Sequence, residues 1–196
     1  MHARSVLVAA VLAVSCPAVA LSGAGSPGWP IDRAHSRVTF TVNKWDFVEV
    51  EGRFLDFGGT IAYDPAHPET SHVDWRVRIA SVETGATNRD KALQGVEYFD
   101  AAQYPEMRFV SDRVTVTTPD RFDVHGVLTI RGQSKPMTVP VIYGGAHTIP
   151  GEGTFEAFQT EFTLNRYDYG VKGGTVLGRA ISSDVHVKLR AVVNRP

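Results

Sequence analysis

The sequence predicts an all-β protein built from about eight antiparallel strands. Three observations lead there. Apolar and polar residues alternate with a period of two along most of the chain. The runs are joined by short connections rich in turn-forming residues. Only Thr87 to Arg108, "TNRDKALQGVEYFDAAQYPEMR", breaks the alternation with a helical stretch.

The rows can be read in order. Over His35 to Asn43, Ser36, Val38, Phe40 and Val42 share one face, while Arg37, Thr39 and Thr41 share the other. Val48, Val50, Gly52 and Phe54 repeat the pattern, and Gly58-Gly59 permits a bend before Thr60 to Tyr63. "DPAHP" at Asp64 to Pro68 is a turn. Val73, Trp75, Val77 and Ile79 form the next inward row, followed beyond the helical stretch by Met107, Phe109 and Ser111, then Val114 and Val116. Val124, Gly126, Leu128 and Ile130 lead through "RGQSKP" into Thr138 to Tyr143. Phe158, Thr160, Phe162 and Leu164 make a further strand, and Val185, Val187, Leu189 and Ala191 the last. A sandwich and a barrel both satisfy this pattern. An eight-stranded barrel has room for a packed interior or for one elongated ligand, and alternation alone does not separate the two.

The helical stretch has its own logic. Thr87 or Asn88 can cap its start, Asp90 lies in the first turn where the helix dipole favours a carboxylate, and Gly95 marks its end. About two turns of helix do not persist alone in water, so this one must pack on the β unit, most simply across an open end. Arg89-Asp90 reads either as a solvent-facing pair or as a latch, with Arg89 turned towards Asp100 or Asp168.

The N-terminus reads as a secretory leader. Arg4 precedes the apolar run Val6 to Val14, then come Pro17 and the small-x-small triplet Ala18-Val19-Ala20, which favours cleavage after Ala20. The run is too short to span a bilayer. This divides the chain into a leader (1–20), a linker (21–28) and one domain (29–196), and predicts a periplasmic or secreted protein. The single cysteine, Cys16, lies inside the leader, so the exported domain relies on its core without disulfides. The competing reading makes Cys16 a lipidated first residue.

Several function classes lose support. A formal net charge of -1 and no basic stripe argue against nucleic acid. The histidines at 35, 67, 72, 125, 147 and 186 are scattered, and His67-Glu69-His72 lacks the helical i, i+4 spacing of a zinc protease, so no metal or cofactor is expected. There is no Gly-x-Ser-x-Gly elbow, and "GEGTF" at Gly151 to Phe155 lacks the lysine of a phosphate loop.

Taken together, the motifs resemble the YceI-like family of exported bacterial proteins. "IDRAHSRVTFTV" (Ile31 to Val42), "GRFLDFGGTI" (Gly52 to Ile61), "SVETGATNRDKALQGVEYFDAAQYPEMRFVS" (Ser81 to Ser111), "LTIRGQSKPMTVPV" (Leu128 to Val141) and "NRYDYGV" (Asn165 to Val171) carry the likeness, in the family's order. The resemblance implies a lipocalin-like antiparallel barrel whose tunnel holds a long-chain lipid of the isoprenoid or quinone-like kind. It implies no enzyme and no cofactor, with transient contact to a membrane or membrane protein and a homodimer as further expectations. Many members place a His shortly after the first strand; this chain reads Asn43-Lys44-Trp45, and Trp45 would supply stacking or bulk instead.

On this basis Val38, Phe40, Val42, Phe54, Val77, Ile79, Phe109, Leu128, Phe162 and Leu164 are expected to line the tunnel. Trp45, Leu93 and Phe99 would close an end, and Arg89, Asn165, Arg166 and Asp168 would sit at the rim or head-group end. Two alternatives remain: an enzyme acting on such a lipid, with Asp168, Tyr167 or His35 as acid or base, and a stress or assembly factor using the barrel as a scaffold.

Overall fold

The computed structural model describes residues 28–174 and 180–196. The leader, its cleavage point and Cys16 lie outside the described residues. Eleven strands form one antiparallel sheet. In chain order, β1 (Trp29–Pro30), β2 (Arg37–Lys44), β3 (Val48–Phe54), β4 (Phe57–Ala62), β5 (His72–Arg78) and β6 (Val82–Glu83) precede the one α-helix among the described residues, α1 (Thr87–Gln94). Then follow β7 (Glu106–Thr118), β8 (Arg121–Ile130), β9 (Gln133–Ile149), β10 (Gly153–Asn165) and β11 (Asp184–Arg195). The count exceeds the expected eight for two reasons. β1 and β6 are two-residue pieces with no period to read, and β3 and β4 separate at residues 55–56.

The sheet order is β1-β4-β5-β7-β8-β9-β10-β11-β2-β3-β6. It curls on itself: Ile31, one residue past β1, bridges Val193 of β11, and Asp32 N–H donates to the Val192 carbonyl (2.8 Å). Inward rows follow the sequence period. Val38 pairs with Leu189 on one side and Phe54 on the other. Glycines make room for aromatic rings: a Cβ on Gly52 would lie 2.3 Å from the Phe40 ring, and one on Gly126 would lie 2.8 Å from the ring of Phe109. β9 and β10 pair from Gln159↔Ile142 to Gly153↔Ile149, so among the described residues the first half of β9 has no strand partner on that side, which suits Pro136 and Pro140. In the sequence, "RGQSKP" (Arg131 to Pro136) reads as the hairpin connection into Thr138 to Tyr143. The turn is instead Arg131-Gly132, both with positive φ (49° and 72°), as a two-residue hairpin requires.

One interior end is a dense aromatic plug. Tyr63 packs against Tyr143 (4.8 Å between ring centroids), Phe158 (5.2 Å) and Phe122 (5.9 Å). The inner face is not wholly apolar, as the period suggested. On β10, Glu156 is 0% exposed and Thr160 is 8% exposed. Among the described residues neither Glu156 oxygen has a hydrogen-bond partner, and its ionic neighbour is Arg195 Nη2 at 3.5 Å. Burial pushes the Glu156 carboxyl up, partly opposed by Arg195. Burial, reinforced by Tyr143, pushes the Tyr63 phenol up to about 12.

Candidate ligand-binding site

The barrel encloses a cavity of 570 Å³. Small-ligand sites occupy about 300–1,000 Å³, so the space suits one elongated molecule. Nine of the ten side chains expected on its wall are there: Val38, Phe40, Val42, Phe54, Val77, Phe109, Leu128, Phe162 and Leu164. They come from six strands, and each points inward because alternate residues share a face. The exception is Ile79. It lies one residue past β5 in a short 3-10 turn, where the period of two ends, and it is packed into the core at 1% exposure.

The insert covers one end, as its inability to stand alone required. Leu93 and Phe99 line the cavity, and Phe99 meets Phe54 edge to face at 6.2 Å. Tyr98 and Phe99 also pack on a small second cluster of Ile130, Tyr169 and Val171. α1 starts after Ala86 with no side-chain cap, so neither Thr87 nor Asn88 caps it, but it stops at Gly95 as the sequence indicates.

Arg89-Asp90 does form a latch, though not to Asp100 or Asp168. Arg89 Nε donates to Thr84 Oγ1 (2.8 Å) and Nη2 to the Thr84 carbonyl (2.6 Å). Thr84 in turn donates from Oγ1 (2.5 Å) and from N–H (2.9 Å) to Asp90 Oδ1. Thr84 therefore sits between cation and carboxylate and clips the start of α1 to the end of β6. The sequence separation is short and local, and it was missed because a carboxylate is the obvious partner for an arginine.

The other expected rim residues divide. Arg166 lines the cavity and is 5% exposed. Its guanidinium donates to the carbonyls of Val171 (2.8 Å), Lys172 (2.6 Å), Ile181 (3.0 Å) and Ser182 (2.8 Å), and to Tyr167 Oη (2.9 Å). Arg166 thus ties together the stretches on either side of residues 175–179 at the cavity end. Asn165 does not line the cavity. Its Oδ1 accepts from Tyr167 N–H (3.0 Å) and caps the 3-10 turn that follows β10. Asp168 lies elsewhere, in a second cleft with Asp100, Tyr104 and Arg131. Trp45 closes nothing: it stands at the tip of the β2–β3 hairpin, 54% exposed.

Arg131 was not singled out by sequence. Its side chain donates to the carbonyls of Gly170 (2.5 Å) and Val96 (2.8 Å), joining the β8–β9 turn to the insert and to the stretch after β10. Lys44, Asn88, Tyr169, Val171 and Ile181 are further wall residues. Of the three groups weighed as acid or base, none lines the cavity. His35 is exposed and bonded through Nδ1 to Asp32 Oδ2 (2.6 Å), and Tyr167 is 43% exposed.

Known proteins are similar to this chain in sequence and in fold. The model of the YceI-like domain matches residues 29–193. A UPF0312 protein of Pseudomonas savastanoi pv. phaseolicola is 31% identical over 178 residues, covering 90% of this chain and 93% of the relative. Among solved structures, Burkholderia cenocepacia BcnA superposes with a TM-score of 0.76 at 25% identity, over 84% of this chain and 99% of that one. A polyisoprenoid binding domain from Saccharophagus degradans, implicated in plant cell wall breakdown, shares the fold with a TM-score of 0.67 at 17% identity, over 86% and 98%. The family model over most of the chain and the 31% identity with a UPF0312 protein show that this chain belongs to the YceI-like domain family.

Proposed function

We propose that the protein binds a long-chain isoprenoid-type lipid, polyprenyl or quinone-like, in the barrel cavity, and serves outside the cytoplasm as its carrier or reservoir. The observation that carries this reading is a 570 Å³ cavity walled by inward apolar rows and covered by a clipped insert. Each CH2 of a lipid chain moved out of water contributes about 0.8 kcal/mol, so a wall of this kind binds a long hydrocarbon with few polar contacts. The shared fold with a polyisoprenoid binding domain supports the class of ligand, and the leader-like residues 1–20 support the compartment. The test is gentle purification, organic extraction and mass spectrometry. A recurring isoprenoid-type mass near one per chain supports the reading. Repeated extraction of no lipid at all, from protein that is folded, sinks it.

A further inference from the structure

The tip of the β2–β3 hairpin has an exposure that its packing does not explain. Phe47 is 80% exposed and Trp45 is 54% exposed, with the two rings stacked at 6.4 Å. Lys44 Nζ lies 4.1 Å from the Trp45 ring. Trp45 and Asp46 both hold positive φ (54° and 63°), a backbone region that suits glycine, asparagine or aspartate, so Trp45 is the residue out of place. In the β8–β9 turn glycine takes one of the two left-handed positions, Gly132 beside Arg131. Here the left-handed tip presents two bare aromatics beside a cation.

The tip also has a meaningful address. Lys44 bridges Ile181 in the sheet, Trp45 N–H donates to the Ala180 carbonyl (2.7 Å), and both Lys44 and Ile181 line the cavity. Asn88, Arg89 and Ala92, exposed on α1, line the same cavity. The cavity wall therefore reaches the surface at the end where the hairpin projects.

We propose that this hairpin tip docks the barrel on a phospholipid bilayer, with Trp45 and Phe47 in the headgroup layer and Lys44 beside the lipid phosphates. The proposal rests on the lipid-binding reading, because a cargo that lives in a bilayer must enter or leave there. Indole and phenyl rings next to a cation are the composition of interfacial anchors. A second copy of the chain fits less well. Two aromatic rings bury about 300–500 Å² together. A stable protein interface needs roughly 800 Å² on each side. Asp46 at the tip and Glu49 beside it offset Lys44, so the rings carry the attachment and anionic lipid adds a smaller increment.

The experiment is co-sedimentation of the purified protein with phosphatidylcholine vesicles and with vesicles half phosphatidylglycerol, alongside tryptophan emission. Of the chain's three tryptophans, Trp75 is buried at 6% exposure and Trp29 is half-buried against the core, so a blue shift on adding vesicles reports chiefly on the exposed Trp45. Expected are binding to both vesicles, a blue shift that Trp45→Phe abolishes, and partitioning weakened about tenfold or more in Trp45→Ser/Phe47→Ser. Lys44→Gln should bring binding to the anionic vesicles down to the level seen with phosphatidylcholine. An unchanged thermal midpoint confirms that the variants fold. A double variant that partitions like the parent overturns the proposal, as does a blue shift that appears without vesicles as concentration rises, which marks self-association. Lipid extraction from the same preparation is read separately. Cargo without vesicle binding overturns docking alone; vesicle binding without cargo supports docking and counts against the carrier reading.

Discussion

Glu156 shows what a single residue can hide. The inward row read from the sequence begins at Phe158; the structure extends it back to Glu156 on the same strand, where a carboxylate breaks the apolar pattern. In the structure it is fully buried, with Arg195, Tyr63 and Tyr143 as the ionisable groups acting around it. Its folded-state pKa lies above the unfolded one because burial disfavours the charged form. Its contribution to stability is therefore complete below the unfolded value, about pH 4.3, and declines as pH rises through the higher folded value. Glu156→Gln removes that decline. Thermal unfolding from acid to neutral pH should show the variant flatter than the parent and about 1 kcal/mol more stable at neutral pH. A variant less stable at every pH would show instead that the Arg195 contact outweighs the burial cost. Residues within strands, such as Val38, Phe40 and Leu128, were legible from the period of two. Ile79, Asn165 and Trp45 were not, because each lies where a strand gives way to a 3-10 turn or a hairpin tip and the period ends.

At the scale of elements, the insert is the instructive case. Its helix, its end at Gly95 and its need for a partner surface were all visible in sequence, since a two-turn helix must be held by tertiary contacts. Its anchor was not. Thr84 takes two hydrogen bonds from Arg89 and gives two to Asp90, over a separation of five or six residues. Such a clip should behave as one unit. In denaturant unfolding, Arg89→Ala and Thr84→Val should each cost about 1–2 kcal/mol, and the double variant clearly less than their sum. Strictly additive losses would mean that the contacts act independently. Because the insert carries Leu93 and Phe99 onto the cavity, the same variants should release a bound hydrophobic dye faster than the parent, as measured by stopped-flow dilution.

At the scale of the whole molecule, the strand rows were legible but their closure was not. Alternation fixed which side chains face inward, and the fold puts nine of ten expected residues on one cavity wall. Whether those rows meet as a filled core or a hollow one depends on contacts between distant strands. The Ile31–Val193 bridge spans most of the chain, and the aromatic plug of Tyr63, Tyr143, Phe158 and Phe122 fills one end while leaving space beyond it. No local pattern encodes such a division of the interior. The central claim is that this space is where the lipid sits, and paired extraction tests it most directly. Parent protein and Leu128→Trp, which places a larger ring in the cavity wall, are purified side by side, and the extracted lipid per chain is measured by mass spectrometry. The account predicts near-stoichiometric isoprenoid-type lipid from the parent and a several-fold loss from a Leu128→Trp protein with an unchanged β-sheet spectrum. Equal lipid from both, or none from either, would contradict it.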